Sequence, residues 1–189
     1  MSGVLFVVSG PSGVGKSSIL AEVRKAVDFF FSVSMTTRDR RPHEIDGVDY
    51  WFVNRSVFEA AVAAGELMEW AEYGGNLYGT PRAPVLAALE RGEHVLFDIE
   101  NKGAQQIRDA YKHAVLVFVL PPSLEELELR LHKRGDTSDE DIARRLAVAQ
   151  EQIANAAELY DFQVINDSIA TAAAEMVSIL IAAHDQGCA

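Results

Sequence analysis

The nine residues Gly10-Pro11-Ser12-Gly13-Val14-Gly15-Lys16-Ser17-Ser18 constrain this chain more than any other stretch. They fit G-x-x-x-x-G-K-[ST], the pattern of a loop that cradles the phosphates of a nucleoside triphosphate. Glycine at 10, 13 and 15 lets the backbone turn sharply and approach an anion with no Cβ in the way. Successive backbone N–H groups then form an anion-binding nest. Lys16 adds a compact positive charge for the β- and γ-phosphates, and the Ser17 hydroxyl is placed to ligate Mg2+. The flanks agree with this reading. Val4-Leu5-Phe6-Val7-Val8 reads as a buried parallel strand, and Ile19, Leu20, Val23 and Val27 recur at helical spacing over about 17–27. A helix N-terminus directly after the loop attracts phosphate in its own right.

Beyond the loop, strand-like and helix-like stretches alternate. That pattern predicts an α/β fold: an open parallel sheet of five strands flanked by helices, with ligands at the carboxyl ends of the strands. The strands are read at 4–8, 31–34, 94–99, 115–120 and 163–165. Helices are read from Thr80-Pro81 to about 91, with Thr80 as cap and Pro81 as first residue, and over 103–111. Ser123-Leu124-Glu125-Glu126 fits a capping box that opens a helix through about 133. Helix resumes at Asp139, with Ile142, Leu146, Ala149 and Ile153 on one stripe, and an alanine-rich helix closes the chain over 169–184. Between 35 and 80 the character changes. Met35 to Arg55 is polar and arginine-rich, and Ser56-Val57-Phe58-Glu59 fits a capping box for a helix over 57–64. Leu67 to Tyr73 is strand-like, Gly74-Gly75-Asn76 is a turn, and Leu77-Tyr78 returns antiparallel. This stretch reads as an inserted β-rich subdomain.

Composition excludes some classes of function. The net charge of −11 argues against a nucleic-acid groove or an anionic membrane as the main partner. Cys188 is the single cysteine, so no internal disulfide can form and a reducing cytoplasm is the expected compartment. The longest apolar run, Ala114 to Leu120, ends at Pro121-Pro122 and is too short to cross a bilayer. The short apolar run at the N-terminus has no basic segment before it and reads as a strand, not a signal peptide.

Two further constellations bear on the acceptor. Arg38, Arg40 and Arg41 follow the second strand closely, and Asp49-Tyr50 comes soon after. Guanidinium forks bind phosphate bidentately, so this cluster reads either as a second phosphate site or as a solvated basic loop. Glu69 sits mid-strand among apolar residues. Spacing alone also suits a residue on the solvent face of an edge strand. The chemical alternative is specific: guanine presents N1–H and N2–H2 as adjacent donors, which one carboxylate accepts, whereas adenine offers an acceptor at N1. A buried site of that kind rejects the wrong base strongly.

Taken in order, these stretches resemble the guanylate kinases, which transfer the γ-phosphoryl group of ATP to GMP. The resemblance covers nearly the whole chain. Its residues are the glycine loop, Ser34-x-x-Thr37-Arg38-x-x-Arg41, Gly47-x-Asp49-Tyr50, Glu69-Trp70, Tyr78-Gly79-Thr80 and Asp98-Ile99. Gly103, Pro121-Pro122-Ser123, Arg130-Leu131, Arg134-Gly135, Arg145-Leu146 and Asn166-Asp167 continue it. The resemblance implies that Arg38, Arg41, Tyr50 and Tyr78 hold the GMP phosphate and that Ser34, Glu69 and Thr80 read guanine, with Asp98 and Glu100 beside them. It implies an ATP site made of Gly10, Pro11, Ser12, Gly13, Val14, Gly15, Lys16, Ser17, Ser18 and Asn166, with Ser17 on Mg2+. Lys16, Arg38, Arg130, Arg134 and Arg145 are the expected catalytic cations. As one domain, the chain then divides into a core (1–33, 81–123, 148–189), a GMP-binding subdomain (34–80) and a lid (124–147) that closes to exclude water. One departure stands out. The family usually has Asp-Ile-Asp, a large apolar residue and Gln, where this chain has Asp98-Ile99-Glu100-Asn101-Lys102. ATP and GMP are the implied small-molecule substrates, dGMP is a further expected acceptor, and the sequence leaves open whether the chain forms a homo-oligomer.

Overall fold

In a parallel sheet covered on both faces, runs of β-branched and aromatic residues become buried strands. The structure is a computed structural model and describes residues 3–133 and 139–187. In chain order it begins with β1 (Leu5–Ser9), α1 (Lys16–Val23), β2 (Phe30–Phe31), β3 (Met35–Thr36), β4 (Trp51–Phe52) and α2 (Arg55–Ala63). It continues with β5 (Leu67–Tyr73), β6 (Asn76–Pro81), α3 (Arg82–Glu90), β7 (Val95–Asp98), α4 (Asn101–Ala110) and β8 (Val115–Leu120). The last elements are α5 (Leu124–Lys133), α6 (Asp139–Leu159), β9 (Phe162–Ile165) and α7 (Ile169–Gly187).

The predicted five-stranded sheet is present, in the order β2-β7-β1-β8-β9. Its described pairings, β1 with β8, β8 with β9 and β2 with β7, are parallel. A second sheet, of four strands, has the order β4-β3-β6-β5, and its β5–β6 and β3–β6 pairs are antiparallel. The chain folds as two compact units. One comprises residues 3–5 and 29–114, the other 6–28 and 115–187.

The second unit carries the glycine loop. All five residues of β1 are buried, and so are Leu116 to Val119 of β8. Phe118 packs its ring 4.9 Å from that of Tyr160, and the Asp161 carboxylate accepts from the Leu116 N–H at 2.8 Å, joining β8 to the start of β9. On α6, Ile142 and Ala149 of the expected stripe are buried, with Leu146 and Ile153 half-buried. The Ser123 hydroxyl accepts from the Glu126 N–H at 3.2 Å, as a capping box requires. The first unit has its own core under the four-stranded sheet, made of Phe58, Ala61, Leu67 and Leu77 with Met35, Val53 and Val62 against it.

Several local expectations need correction. The cap of α2 is Asn54, whose side chain accepts from the Val57 N–H, and not Ser56, which bonds to the Asn54 side chain instead. Asn is among the strongest capping residues, and the helix therefore starts at Arg55. Thr80 does not cap α3. It ends up inside β6, and Pro81 takes the cap position. Of the stretch read as one strand over 31–34, only Phe31 lies in a strand, β2; residues 32–34 belong to none, and β3 begins at Met35 in the other sheet. Helix α1 ends at Val23, short of the expected 27. No helix among the described residues is long and apolar enough to cross a membrane.

Candidate functional site

The glycine loop is shaped by donors that seize one of its carbonyls. The Val14 carbonyl accepts from Asn166 Nδ2 at 2.7 Å and from Arg130 Nη1 at 3.2 Å. Arg130 also donates to the Asn166 carbonyl at 3.1 Å and pairs with Glu126 at 2.9 Å. Gly15 has φ of 102°, and a Cβ there would lie 2.5 Å from Asn166 Nδ2, so only glycine fits both the backbone and the neighbour. No side chain caps α1 and no acid stands in its first turn. A helix start of this kind, with no acid beside it, is electrostatically suited to an anion. Lys16 folds its ammonium back onto the Gly10 carbonyl at 2.8 Å. Pro11 is buried with its carbonyl on the Val14 N–H, Ser12 is half-buried, and Ser17 and Ser18 are exposed on α1.

Asn166 is 3% exposed, and its Oδ1 has no hydrogen-bond partner among the described residues. A buried acceptor without a donor among protein groups is uncommon in a folded protein. Arg145 is half-buried on α6. Arg134 lies outside the described residues. No group of three His, Cys, Asp or Glu among the described residues is arranged to hold a metal ion. The exposed hydroxyl of Ser17 at the loop suits a hard cation whose remaining ligands are phosphate oxygens and water.

The acceptor residues of the sequence reading come together in the other unit. Glu69 is not on the solvent face of its strand. It is 4% exposed, because β5 and β6 lose their regular register at that point. Leu67 pairs with Pro81 and Trp70 with Gly79, so Met68 and Glu69 both face Thr80. This two-against-one bulge turns the carboxylate inward. The Thr80 hydroxyl donates to Glu69 Oε1 at 2.6 Å. That spends its single proton, so the Ser34 hydroxyl, 3.3 Å from Thr80 Oγ1, must be the donor in the next link. Burial pushes the Glu69 carboxyl up to about 7, with the Thr80 hydrogen bond pulling the other way. Gly103 of α4 packs directly on this carboxylate, where a Cβ would overlap it.

The arginine cluster is folded around an acid that the sequence reading did not single out. Glu44, 6% exposed, accepts from Arg38 Nη2 at 2.7 Å and Nη1 at 3.0 Å, and from the Arg41 N–H at 2.8 Å. Arg40 donates to the Glu44 carbonyl at 2.8 Å, and the exposed Arg41 guanidinium lies 3.9 Å from the carboxylate. Burial pushes the Glu44 carboxyl up, but its bonds to Arg38 and Arg41 bring it below the ordinary value. The only sequence signal was an acid three and six positions after two of the arginines. Arg38 also stacks 5.5 Å from the Tyr50 ring and 5.6 Å from the Phe52 ring. Tyr50 and Tyr78 meet edge to face at 6.0 Å. Burial first, then the negative charge of Asp98, pushes Tyr50 up to about 12, which keeps its phenol a donor at neutral pH. Asp98 is half-buried at the end of β7, Glu100 occupies the cap position of α4, and Lys102 is exposed in its first turn.

This unit therefore pairs a buried carboxylate with a guanidinium–phenol cluster, and the other unit holds a phosphate loop. A guanylate kinase family model matches residues 2–183. The guanylate kinase of Thermus thermophilus is 53% identical over 182 residues, covering 96% of this chain and 82% of the relative. That of Carboxydothermus hydrogenoformans is 48% identical over 181 residues, covering 95% and 88%. The crystal structure of guanylate kinase from Anaplasma phagocytophilum superposes with a TM-score of 0.78 at 34% identity, covering 96% of this chain and 86% of that one.

Proposed function

The chain belongs to the guanylate kinase family, and from that premise we propose how its residues divide the transfer of the ATP γ-phosphoryl group to GMP. The chain is an ATP:GMP phosphotransferase. The observation that carries the division of labour is the hydrogen-bonded line Ser34–Thr80–Glu69, with its nearly solvent-free carboxylate.

In the proposal, guanine N1–H and N2–H2 donate to the Glu69 carboxylate, and the Thr80 and Ser34 hydroxyls complete the reading of the base. Arg38, Arg41, Tyr50 and Tyr78 hold the GMP phosphate, with Asp98 and Glu100 at the margin of the site. The Arg38 fork, stacked between rings and aligned by Glu44, supports this reading. The loop amides of residues 10–18 and Lys16 hold the ATP phosphates. Asn166 is assigned to the side where adenine approaches, its Nδ2 holding the Val14 carbonyl of the loop.

Phosphoryl transfer requires in-line placement and neutralisation of spread negative charge, with no covalent enzyme intermediate. A GMP phosphate oxygen bonds to the γ-phosphorus as the bond to the bridging β-oxygen breaks, and ADP leaves. Lys16 stabilises the charge that develops on the β/γ bridge. Arg130, Arg134 and Arg145 are assigned to the transferred group, and Arg130 has the further task of holding Val14. Ser17 would hold Mg2+, which supplies charge neutralisation at the β- and γ-oxygens when bound. Segment 124–147 is assigned as the lid that keeps water from the γ-phosphate. dGMP is proposed as a second acceptor, and the cytoplasm as the compartment, since a single cysteine suits reducing conditions.

Two substitutions separate the halves. Lys16→Met is expected to lower turnover by at least about 100-fold while GMP affinity and the circular dichroism spectrum are retained. Glu69→Gln is expected to raise KM for GMP at least about tenfold with ATP affinity unchanged. Near-normal turnover in the first, or an unchanged KM for GMP in the second, contradicts the assignment.

A further inference from the structure

Glu69 faces inward only because β5 is bulged, and a bulge on an edge strand must be held by something. Strand β5 is terminal in the four-stranded sheet, so the backbone groups on its outer side have no strand partner. At Trp70, the residue after Glu69, one side chain takes both of them. Gln106 Oε1 accepts from the Trp70 N–H at 3.2 Å, and Gln106 Nε2 donates to the Trp70 carbonyl at 2.7 Å. The second Nε2 proton goes to the Lys102 carbonyl at 3.2 Å, within the same helix. Both amide protons and the carbonyl oxygen are engaged, and only one orientation of the amide satisfies all three bonds. Gln106 thus stands in for a missing strand at one point of the edge. Three residues earlier, on the same face of α4, Gly103 lets the helix backbone reach the Glu69 carboxylate. One helix face therefore clamps the backbone beside Glu69 and abuts its side chain.

We propose that Gln106 is a specificity-determining positioning residue: by pinning Trp70 it fixes the bulge that presents the Glu69 carboxylate to the guanine N1–H and 2-amino group. The inference rests on Glu69 as the guanine reader. Gln106 touches no substrate, and its effect passes entirely through Glu69.

The test compares GMP with IMP, whose hypoxanthine lacks the 2-amino group, as the ratio of kcat/KM values. Loss of folded protein lowers both values equally and cancels in the ratio, so a merely structural contribution leaves it unmoved. Gln106→Met preserves length and bulk and removes both bonds to Trp70. Gln106→Asn keeps the amide but withdraws it by about 1.5 Å, one carbon–carbon bond, and provides a second variant should the first be poorly soluble. Both are expected to lower the GMP-over-IMP ratio about tenfold, the scale of a mispaired buried group, with KM for ATP within about twofold of the unmodified protein. In Glu69→Gln the ratio is expected to collapse, and adding Gln106→Met to it is expected to change nothing more, because the two act as one unit. A ratio retained within about twofold in both Gln106 variants, or a full additional loss in the double variant, overturns the inference while leaving the role of Glu69 standing. If Glu69→Gln alone leaves the ratio intact, the guanine reading falls, and this inference with it.

Discussion

Glu44 shows how an arginine cluster can be organised by an acid. It holds both terminal nitrogens of Arg38 and the Arg41 amide, so the arginine proposed to meet the phosphate is aligned before any ligand arrives. Glu44→Gln removes the charge and leaves the half-buried Arg38 without its counter-ion. GMP affinity is expected to fall about tenfold or more, since loss of one partner of a buried charged pair is costly. Guanosine has no phosphate, and its affinity is expected to stay within about twofold of the starting value. Calorimetric titration of both ligands checks this, and an equal loss for the two would show that the variant has only loosened the loop. Glu69 has the opposite electrostatics, its carboxyl pushed up to about 7 by burial. A carboxyl whose native value lies above its unfolded value contributes stability that is present below the unfolded value and lost as pH rises through the native one. Denaturant titrations of the ligand-free protein are therefore expected to show a fall of about 3 kcal/mol between pH 4.5 and about 7, from 1.36 kcal/mol per unit of separation. Glu69→Gln removes that fall. GMP affinity is expected to run the other way, rising with pH through about 7 as the carboxylate proposed to read guanine is formed. A stability profile identical in the unmodified protein and Glu69→Gln would contradict both statements.

At the scale of elements, the readable parts were those whose periodicity is set by burial alone. The run from Val115 to Leu120 becomes β8 over the same residues, and Leu67 to Tyr73 becomes β5 over the same residues. The inward turn of Glu69 was not readable, because a bulge depends on the partner strand. Period-two alternation places Glu69 opposite Met68 in direction, yet both are buried where two residues face Thr80. Thr80 was misread as a helix cap for a related reason: Thr before Pro fits a helix start, and only the fold reveals the carboxylate that takes its hydroxyl. The α2 cap was decided between two polar residues two positions apart, and the side chain that reaches the Val57 N–H is that of Asn54. Glu44 and Gln106 carry no periodic signal. Their partners are backbone groups and a fork brought into range by loop and edge geometry, which spacing does not encode.

For the whole molecule, a net charge of −11 is compatible with binding two anionic substrates, because cations can be clustered locally in an acidic chain. Arg38, Arg40 and Arg41 gather around Glu44 in one unit, while Lys16 and Arg130 attend the glycine loop in the other. The loop specifies a triphosphate donor and leaves the acceptor undetermined. In the proposal, acceptor identity resides in residues of the other unit, above all the buried carboxylate of Glu69. The central claim, guanine-selective phosphoryl transfer, is tested most directly by ADP release measured side by side with GMP, AMP, UMP and CMP at equal concentration. Rapid release is expected with GMP and rates at least about 100-fold lower with each of the others, as for a site whose buried polar groups are left unpaired by the wrong base. Comparable rates with AMP and GMP would contradict it.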